Sequence, residues 1–570
     1  VTAARRWNWS RSSDSSDADP IDDPSRDPDL KSAAPSDVQP MNTLAPPHLN
    51  IEGRWARAWS RRRGWPLVTV LGAALAAALV LLPLVFLVIQ AQQSGWDATS
   101  RLLFRHNTAV LLWNTVRLVV VSTALCAVLG VGAAWCVQRT TLPARRVWAV
   151  LLVLPLGIPD FVIGFGWVSL EPSLQGYWAA VMIMTLSLYP LVYLPAVAGL
   201  AGVDPALEEV ARSLGLGPWQ VFWRVTLRQM LPAVLGGCLL VTLGLLAEYG
   251  AFEIVQYQTF TVAIFTEFKL GFDTAAACAL SLVLVALGIA ALAGELPLVR
   301  RGRWSRSGAG ARRAVLRVKL GGWTIPVLLG LFALCSMALG VPVGSLVYWL
   351  IRGGSTTLPS ASILTDAAHT AELSAGAAAL ATALAIPVTA AAMRHRNRLT
   401  VLIERLALLP QALPGLVVAL GLVSFSVRYA LPLYQSALEL IVAYAILFLP
   451  LAVVGVRAAL AHAPARLEEV GRSLGRRPAS VWLRVTLPLI APGLGVAFLL
   501  VFISSSTELT ATLLLRPTGV DTLATQFWVY TSDFAYGAAA PYAGLMVLIS
   551  AIPAYLLSRR MASIARRGQA

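Results

Sequence analysis

Long apolar runs restrict this chain more than any other feature. Twelve stretches, 66–90, 110–137, 147–170, 177–201, 229–250, 274–298, 322–350, 367–393, 401–427, 436–460, 489–513 and 541–558, are apolar nearly throughout. About 20 residues of helix cross a lipid hydrocarbon core. Within lipid, only helices and closed barrels satisfy every backbone N–H and C=O. The expected fold is therefore an all-α polytopic membrane protein of about twelve transmembrane helices. Composition agrees: 57% of the 570 residues are hydrophobic and 13% are charged, against about 25% charged in an ordinary soluble domain.

The formal net charge of +16 would point to nucleic acid in a soluble protein. Here the arginines sit between apolar runs, where the positive-inside rule accounts for them, and no nucleic-acid partner is expected. Cys126, Cys136, Cys238, Cys278 and Cys335 all lie in apolar runs without CxxC spacing. They read as small buried hydrophobes. The five histidines form no HExxH, so no metal site and no catalytic residue is expected.

Residues 1–64 are rich in Ser, Asp, Pro and Arg and predict a disordered cytoplasmic segment. No apolar stretch follows the first arginines as in a signal peptide, and Met41 is an alternative start. Arg139, Arg145, Arg146, the basic connector 300–320, the run Arg394 to Arg398 and the tail 561–570 form one charged side. The expected orientation has both termini in the cytoplasm, and the lipid bilayer is the first partner.

The chain also repeats. Leu207 to Leu227 and Leu467 to Leu487 match at 14 of 21 positions without a gap. LPLGIPDFV from Leu154 answers LPQALPGLV from Leu409, and Glu248 answers Glu508. Two parallel six-helix halves follow, 65–299 and 321–560, expected to be related by a pseudo-two-fold along the membrane normal.

Each repeated loop, 204–228 and 464–488, carries helix signals. Asp204-Pro205 reads as an N-cap and first helical residue. Glu208 and Glu209, like Glu468 and Glu469, lie in the early turns that favour negative charge. Gly215 and Gly475 can end the helix in a left-handed conformation. Pro218 and Pro478 start the next one. So short a helix needs something to dock on. A solvated connector and a DNA-binding helix-turn-helix compete with a docking helix for a cytoplasmic partner. The near-identity of two otherwise divergent copies favours docking.

Glu209-Val210-Ala211, Gly215 and Val225-Thr226-Leu227, with Glu469-Val470-Gly471, Gly475 and Val485-Thr486-Leu487-Pro488, resemble the EAA loop of ATP-binding-cassette importer permeases. Valine replaces the middle alanine twice, Gly471 the last alanine, and Arg228 the terminal proline of the first copy. The resemblance covers about residues 66–560. It implies a coupling helix seated on an ATPase subunit, with Glu208, Glu209, Ala211 and Gly215 and their counterparts Glu468, Glu469, Gly471 and Gly475 as coupling residues. It also implies two copies of a cytoplasmic ATPase, an external substrate-binding protein and location in the bacterial inner membrane. The chain has no GxxxxGK[ST] loop. ATP and Mg are therefore expected on the partner, with no cofactor bound here.

The fused layout and the segments Ala247 to Phe265 and Ser504 to Trp528 resemble the ferric-iron permeases, with thiamine, sulfate, polyamine and phosphonate permeases as relatives. An ion-gradient-driven secondary transporter with parallel halves is the rival from another class, but gives no reason for the repeated loop. Glu248, Tyr249 and Glu508 are candidates for a substrate pathway near the outer gate. Helix capping or a place among the headgroups is the competing reading for the two glutamates. Arg117 and Glu372, at equivalent places, either pair across the halves or stand alone. Asp160 after Pro159 either satisfies backbone groups freed by the proline or touches substrate.

Overall fold

The computed structural model describes residues 67–93, 95–302, 318–354, 361–394 and 397–567. The expected disordered segment 1–64, connector residues 303–317 and the side chains of the tail 561–570 lie outside what is described.

Among the described residues the regular structure is helical, with one isolated bridge, Thr140 to Val318. The first half contains α1 (Leu67–Gln93), α2 (Trp96–Leu103), α3 (His106–Arg139), α4 (Arg145–Leu151), α5 (Asp160–Val168) and α6 (Gly176–Ala201). It continues through α7 (Pro205–Ser213), α8 (Pro218–Ala247), α9 (Gly250–Ile254), α10 (Phe260–Lys269) and α11 (Thr274–Gly302). The second half begins with α12 (Gly321–Arg352), α13 (Ala361–Arg394), α14 (Arg398–Leu408), α15 (Gly415–Tyr429) and α16 (Ala437–Ala461). α17 (Ala465–Ser473), α18 (Pro478–Ser506), α19 (Thr510–Leu515), α20 (Leu523–Ser532) and α21 (Tyr536–Arg567) complete it.

Nine described helices are long and apolar enough to cross a membrane, and two bent pairs raise the number to eleven. The bent pairs occupy the expected spans 147–170 and 401–427. The chain turns by 93° before α5 and by 109° before α15. Pro159 and Pro414 cause both turns. A proline pushes the preceding residue out of the helical region, and Ile158 (φ −107°, ψ 125°) and Leu413 (φ −107°, ψ 118°) are extended.

The two halves exchange their first helices. Pro83 of α1 packs on Gly421 of α15, where an added Cβ would sit 2.6 Å from the proline Cα. Pro342 of α12 packs the same way on Gly166 of α5, at 2.7 Å. No side chain fits at either crossing, so the helix backbones meet directly, as small residues allow in membranes. Each of the two buried cores therefore draws on both halves. Ala73, Ala76 and Val80 of α1 join Leu416, Leu420 and Tyr444 of the second half. Leu331 and Leu346 of α12 join Phe161, Phe165 and Tyr189 of the first. Phe527 of α20 closes the second of these cores, with ring centroids 5.5 Å from Phe161 and 5.3 Å from Phe165.

Candidate functional site

Both repeated loops fold as helix, glycine turn and helix. Asp204 accepts the Ala206 N–H at 3.0 Å and Pro205 fills the first helical position. Gly215 (φ +83°) and Gly475 (φ +77°) end α7 and α17. The next residues donate back to Ala211 and Gly471, Leu216 N to Ala211 O at 3.1 Å and Arg476 N to Gly471 O at 3.2 Å. This left-handed stop satisfies carbonyls that a helix end leaves free and is open to glycine without strain. Pro218 and Pro478 then open α8 and α18, and each contains a π-helical turn, Phe222–Thr226 and Trp482–Thr486.

The adjacent glutamates face opposite ways, because consecutive helical residues differ by about 100° around the axis. Glu208 is buried and Glu209 exposed. The Glu208 carboxylate accepts from Arg139 Nη1 at 3.1 Å and from Thr226 Oγ1 at 2.7 Å, with Arg212 at 3.7 Å. Arg139 also donates to the Leu200 carbonyl at 3.4 Å. In the second copy Glu468 accepts from Arg394 at 2.7 Å, from Thr486 at 3.2 Å and from Arg472 at 3.2 Å. Arg394 donates to Ala463 O at 3.0 Å. The first cluster is the deeper one: the Arg139 and Glu208 side chains are 6% and 7% exposed, against 20% and 15% for Arg394 and Glu468.

The small residues belong to the inside of each elbow. Ala211 is buried, and a Cβ on Gly471 would meet Val481 Cγ2 at 2.9 Å. The outer face carries Glu209 or Glu469 beside exposed apolar side chains. These are Leu207, Val210 and Leu214 with Trp219 and Trp223 in the first copy, and Leu467, Val470, Leu474 and Leu483 in the second. Their i, i+3, i+7 spacing puts one apolar strip along each short helix, the pattern of a helix that lies in a groove.

At the other ends of α8 and α18 the chain breaks again. Glu248 accepts the Ala251 N–H at 2.7 Å and so caps α9. Glu508 accepts Thr510 N–H at 3.1 Å and Ala511 N–H at 2.9 Å and caps α19. The Tyr249 ring is buried between Phe265, at 4.5 Å between centroids, and Trp528, at 5.5 Å. Among the described residues no three His, Cys, Asp or Glu side chains are grouped to hold a metal. Asp160 starts α5 and accepts the Ser187 hydroxyl.

Of the two readings of Arg117 and Glu372, the structure favours the one without a pair between them. Arg117 Nε donates to the Tyr257 hydroxyl at 2.9 Å, and its guanidinium lies 4.4 Å from the Tyr177 ring centre. Glu372 is exposed, with no ion pair among the described residues. The arginine is satisfied inside its own half by a hydrogen bond and a cation–π contact.

Sequence reasoning missed Arg139, Thr226, Arg394 and Thr486 as parts of the loop sites. A signal was present: Arg139 and Arg394 are 255 residues apart, and Thr226 and Thr486 lie 260 apart, the same offsets that relate the two halves elsewhere.

A family model described as the binding-protein-dependent transport system inner membrane component matches residues 127–296 and 383–567. The chain is similar to the Fe(3+)-transport system permease protein FbpB 2 of Haemophilus influenzae, 41% identical over 483 residues, which is 84% of this chain and 95% of that protein. It is also similar to the sulfate transport system permease protein CysW of Synechocystis, 30% identical over 37% of this chain and 84% of the relative. The molybdenum transport system permease protein ModB of Escherichia coli is 30% identical over 21% of this chain and 60% of the relative. Both family matches contain a glycine-hinged elbow and its inward-facing glutamate, Glu208 or Glu468. This multi-pass chain, fused from two such units, belongs to the family of inner-membrane permease components of binding-protein-dependent transport systems.

Proposed function

We propose that this chain is the membrane subunit of an ATP-driven importer for ferric iron. The observation that carries the substrate is the 41% identity to a ferric-iron permease along 95% of that protein's length. The sulfate relative matches only 37% of this chain. In this reading an external binding protein delivers the substrate. Two copies of a cytoplasmic ATPase, holding ATP and Mg, seat the strips around Glu209 and Glu469. Both termini then face the cytoplasm, as the distribution of arginines requires. ATP and loaded binding protein each favour one of two packings of the helices, and the alternation moves substrate.

The support for docking is the combination of an inward anchor and an outward apolar face on each elbow. A helix of nine residues holds its place in a groove when its own base is rigid. The test is uptake of radiolabelled ferric iron by cells with and without the chain, alongside sulfate. Iron uptake that depends on the chain and on ATP supports the reading. Chain-dependent sulfate uptake, or iron uptake driven by an ion gradient without ATP, would sink it.

A further inference from the structure

The loop clusters fasten each short helix to one particular long helix, and that helix is fastened again far away. Arg139 is the last residue of α3, and Arg394 the last residue of α13. Both helices have 34 residues. Twenty-four residues before each arginine stands a threonine, Thr115 or Thr370, and both are buried. The Thr115 hydroxyl accepts the Phe260 N–H at 3.2 Å, at the start of α10. The Thr370 hydroxyl accepts the Leu523 N–H at 3.0 Å, at the start of α20. At 1.5 Å per residue the two attachment points on each helix are about 36 Å apart, the thickness of a bilayer core and part of its interface.

The arginine ends of these rods are built as rigid joints. Glu208 bridges three elements at once: its own short helix, the end of α3 through Arg139, and the π-helical turn of α8 through Thr226. Glu468 does the same through Arg394 and Thr486. A carboxylate shielded from water and paired with guanidinium and hydroxyl donors is costly to break, most of all at the buried Glu208, because the charge left behind has little water to replace its partner. The elbow therefore moves with the end of α3 or α13. The first joint is tied further. Val318, at the entry to the second half, donates to Arg139 O at 2.8 Å and accepts from Thr141 N at 3.1 Å.

We infer that Arg139 and Arg394 are positioning residues for energy coupling. They clamp the two ATPase-docking elbows to α3 and α13, which carry elbow displacement across the membrane to α10 and α20 through Thr115 and Thr370. The inference rests on the importer reading above. It adds a transmission route, which the outward-facing strip residues do not supply. A long helix held at both ends transmits displacement only while both joints hold.

The experiment uses the full chain in the complex with its co-purified ATPase, reconstituted in liposomes, with an external binding protein loaded with ferric iron. The readout is the stimulation of ATP hydrolysis when that loaded binding protein is added outside. In Arg139→Ala and Arg394→Ala the stimulation, taken as the ratio of hydrolysis with and without the binding protein in the same complex, is expected to fall about tenfold. Arg139→Lys, which keeps the charge, should recover part of it. Thr115→Val, at the far joint, should lower stimulation without reducing the amount of ATPase that co-purifies. A purely structural role would instead reduce the yield of complex and leave stimulation per complex unchanged, and that result overturns the inference. Should Arg139→Ala fail to assemble, the half-exposed Arg394 joint and Thr115→Val carry the same test. Wild-type complex that transports without hydrolysing ATP would overturn the importer reading itself. ATP-dependent transport with full stimulation in the variants would overturn only the transmission route.

Discussion

Glu508 Oε1 lies where a Cβ on Gly415 would stand. The first half solves the same position differently: Asp160 replaces the glycine and accepts the Ser187 hydroxyl. One carboxylate is thus drawn against the helix start in the second half, and a second one is added in the first. Gly415→Ala is expected to destabilise the protein by about 1–3 kcal/mol, the usual result of overpacking a fixed site. Thermal unfolding of the detergent-solubilised chain checks this. Gly157→Ala, with open space around its Cα, serves as the control.

The two capping glutamates differ in how many donors they hold. Glu248 uses one oxygen for Ala251 N–H, whereas Glu508 uses both, for Thr510 and Ala511. An amide keeps one acceptor oxygen. Glu248→Gln should therefore be nearly neutral for stability and Glu508→Gln should cost about 1 kcal/mol. Thermal unfolding measures the difference. Iron uptake by the same variants measures their part in the pathway: we expect a loss in both, and unchanged uptake would remove them from it.

The exposed glutamates meet unequal surroundings. Glu209 shares its surface with Trp219 and Trp223, where the second copy has Ala479 and Leu483. Two identical ATPases would bury more aromatic surface at the first elbow, and buried aromatics dominate interface energies. Glu469→Ala is therefore expected to impair uptake more than Glu209→Ala, since the second elbow has fewer other anchors. Equal losses in paired uptake assays would mean that the asymmetry has no energetic weight.

Arg117 and Glu372 occupy equivalent positions and do different work. Removing Arg117 forfeits its bond to Tyr257 and its stacking on Tyr177, while Glu372 is exposed. Arg117→Ala should lower thermal stability by about 1–3 kcal/mol. Glu372→Ala should leave it within about 0.5 kcal/mol. A comparable loss at Glu372 would show a partner for that carboxylate.

The apolar runs determined the helical membrane fold, and the 21-residue repeat determined where the elbows lie. Both are local matters: run length answers to bilayer thickness, and Gly215 with Pro218 answers to backbone geometry alone. The bends at Pro159 and Pro414 were equally local, yet continuous hydrophobicity concealed them, because an apolar helix, straight or bent, has the same composition. Tertiary structure decided everything that depends on a partner distant in the chain. The helical step turned Glu208 inward and Glu209 outward, but only folding brought Arg139, 69 residues away, against Glu208. It also put Pro83 on Gly421 and Pro342 on Gly166, exchanging the first helices of the halves. Each of these contacts depends on which helix faces which, and membrane helices choose neighbours by close packing and paired polar groups rather than by hydrophobicity, which is the same against lipid as against protein.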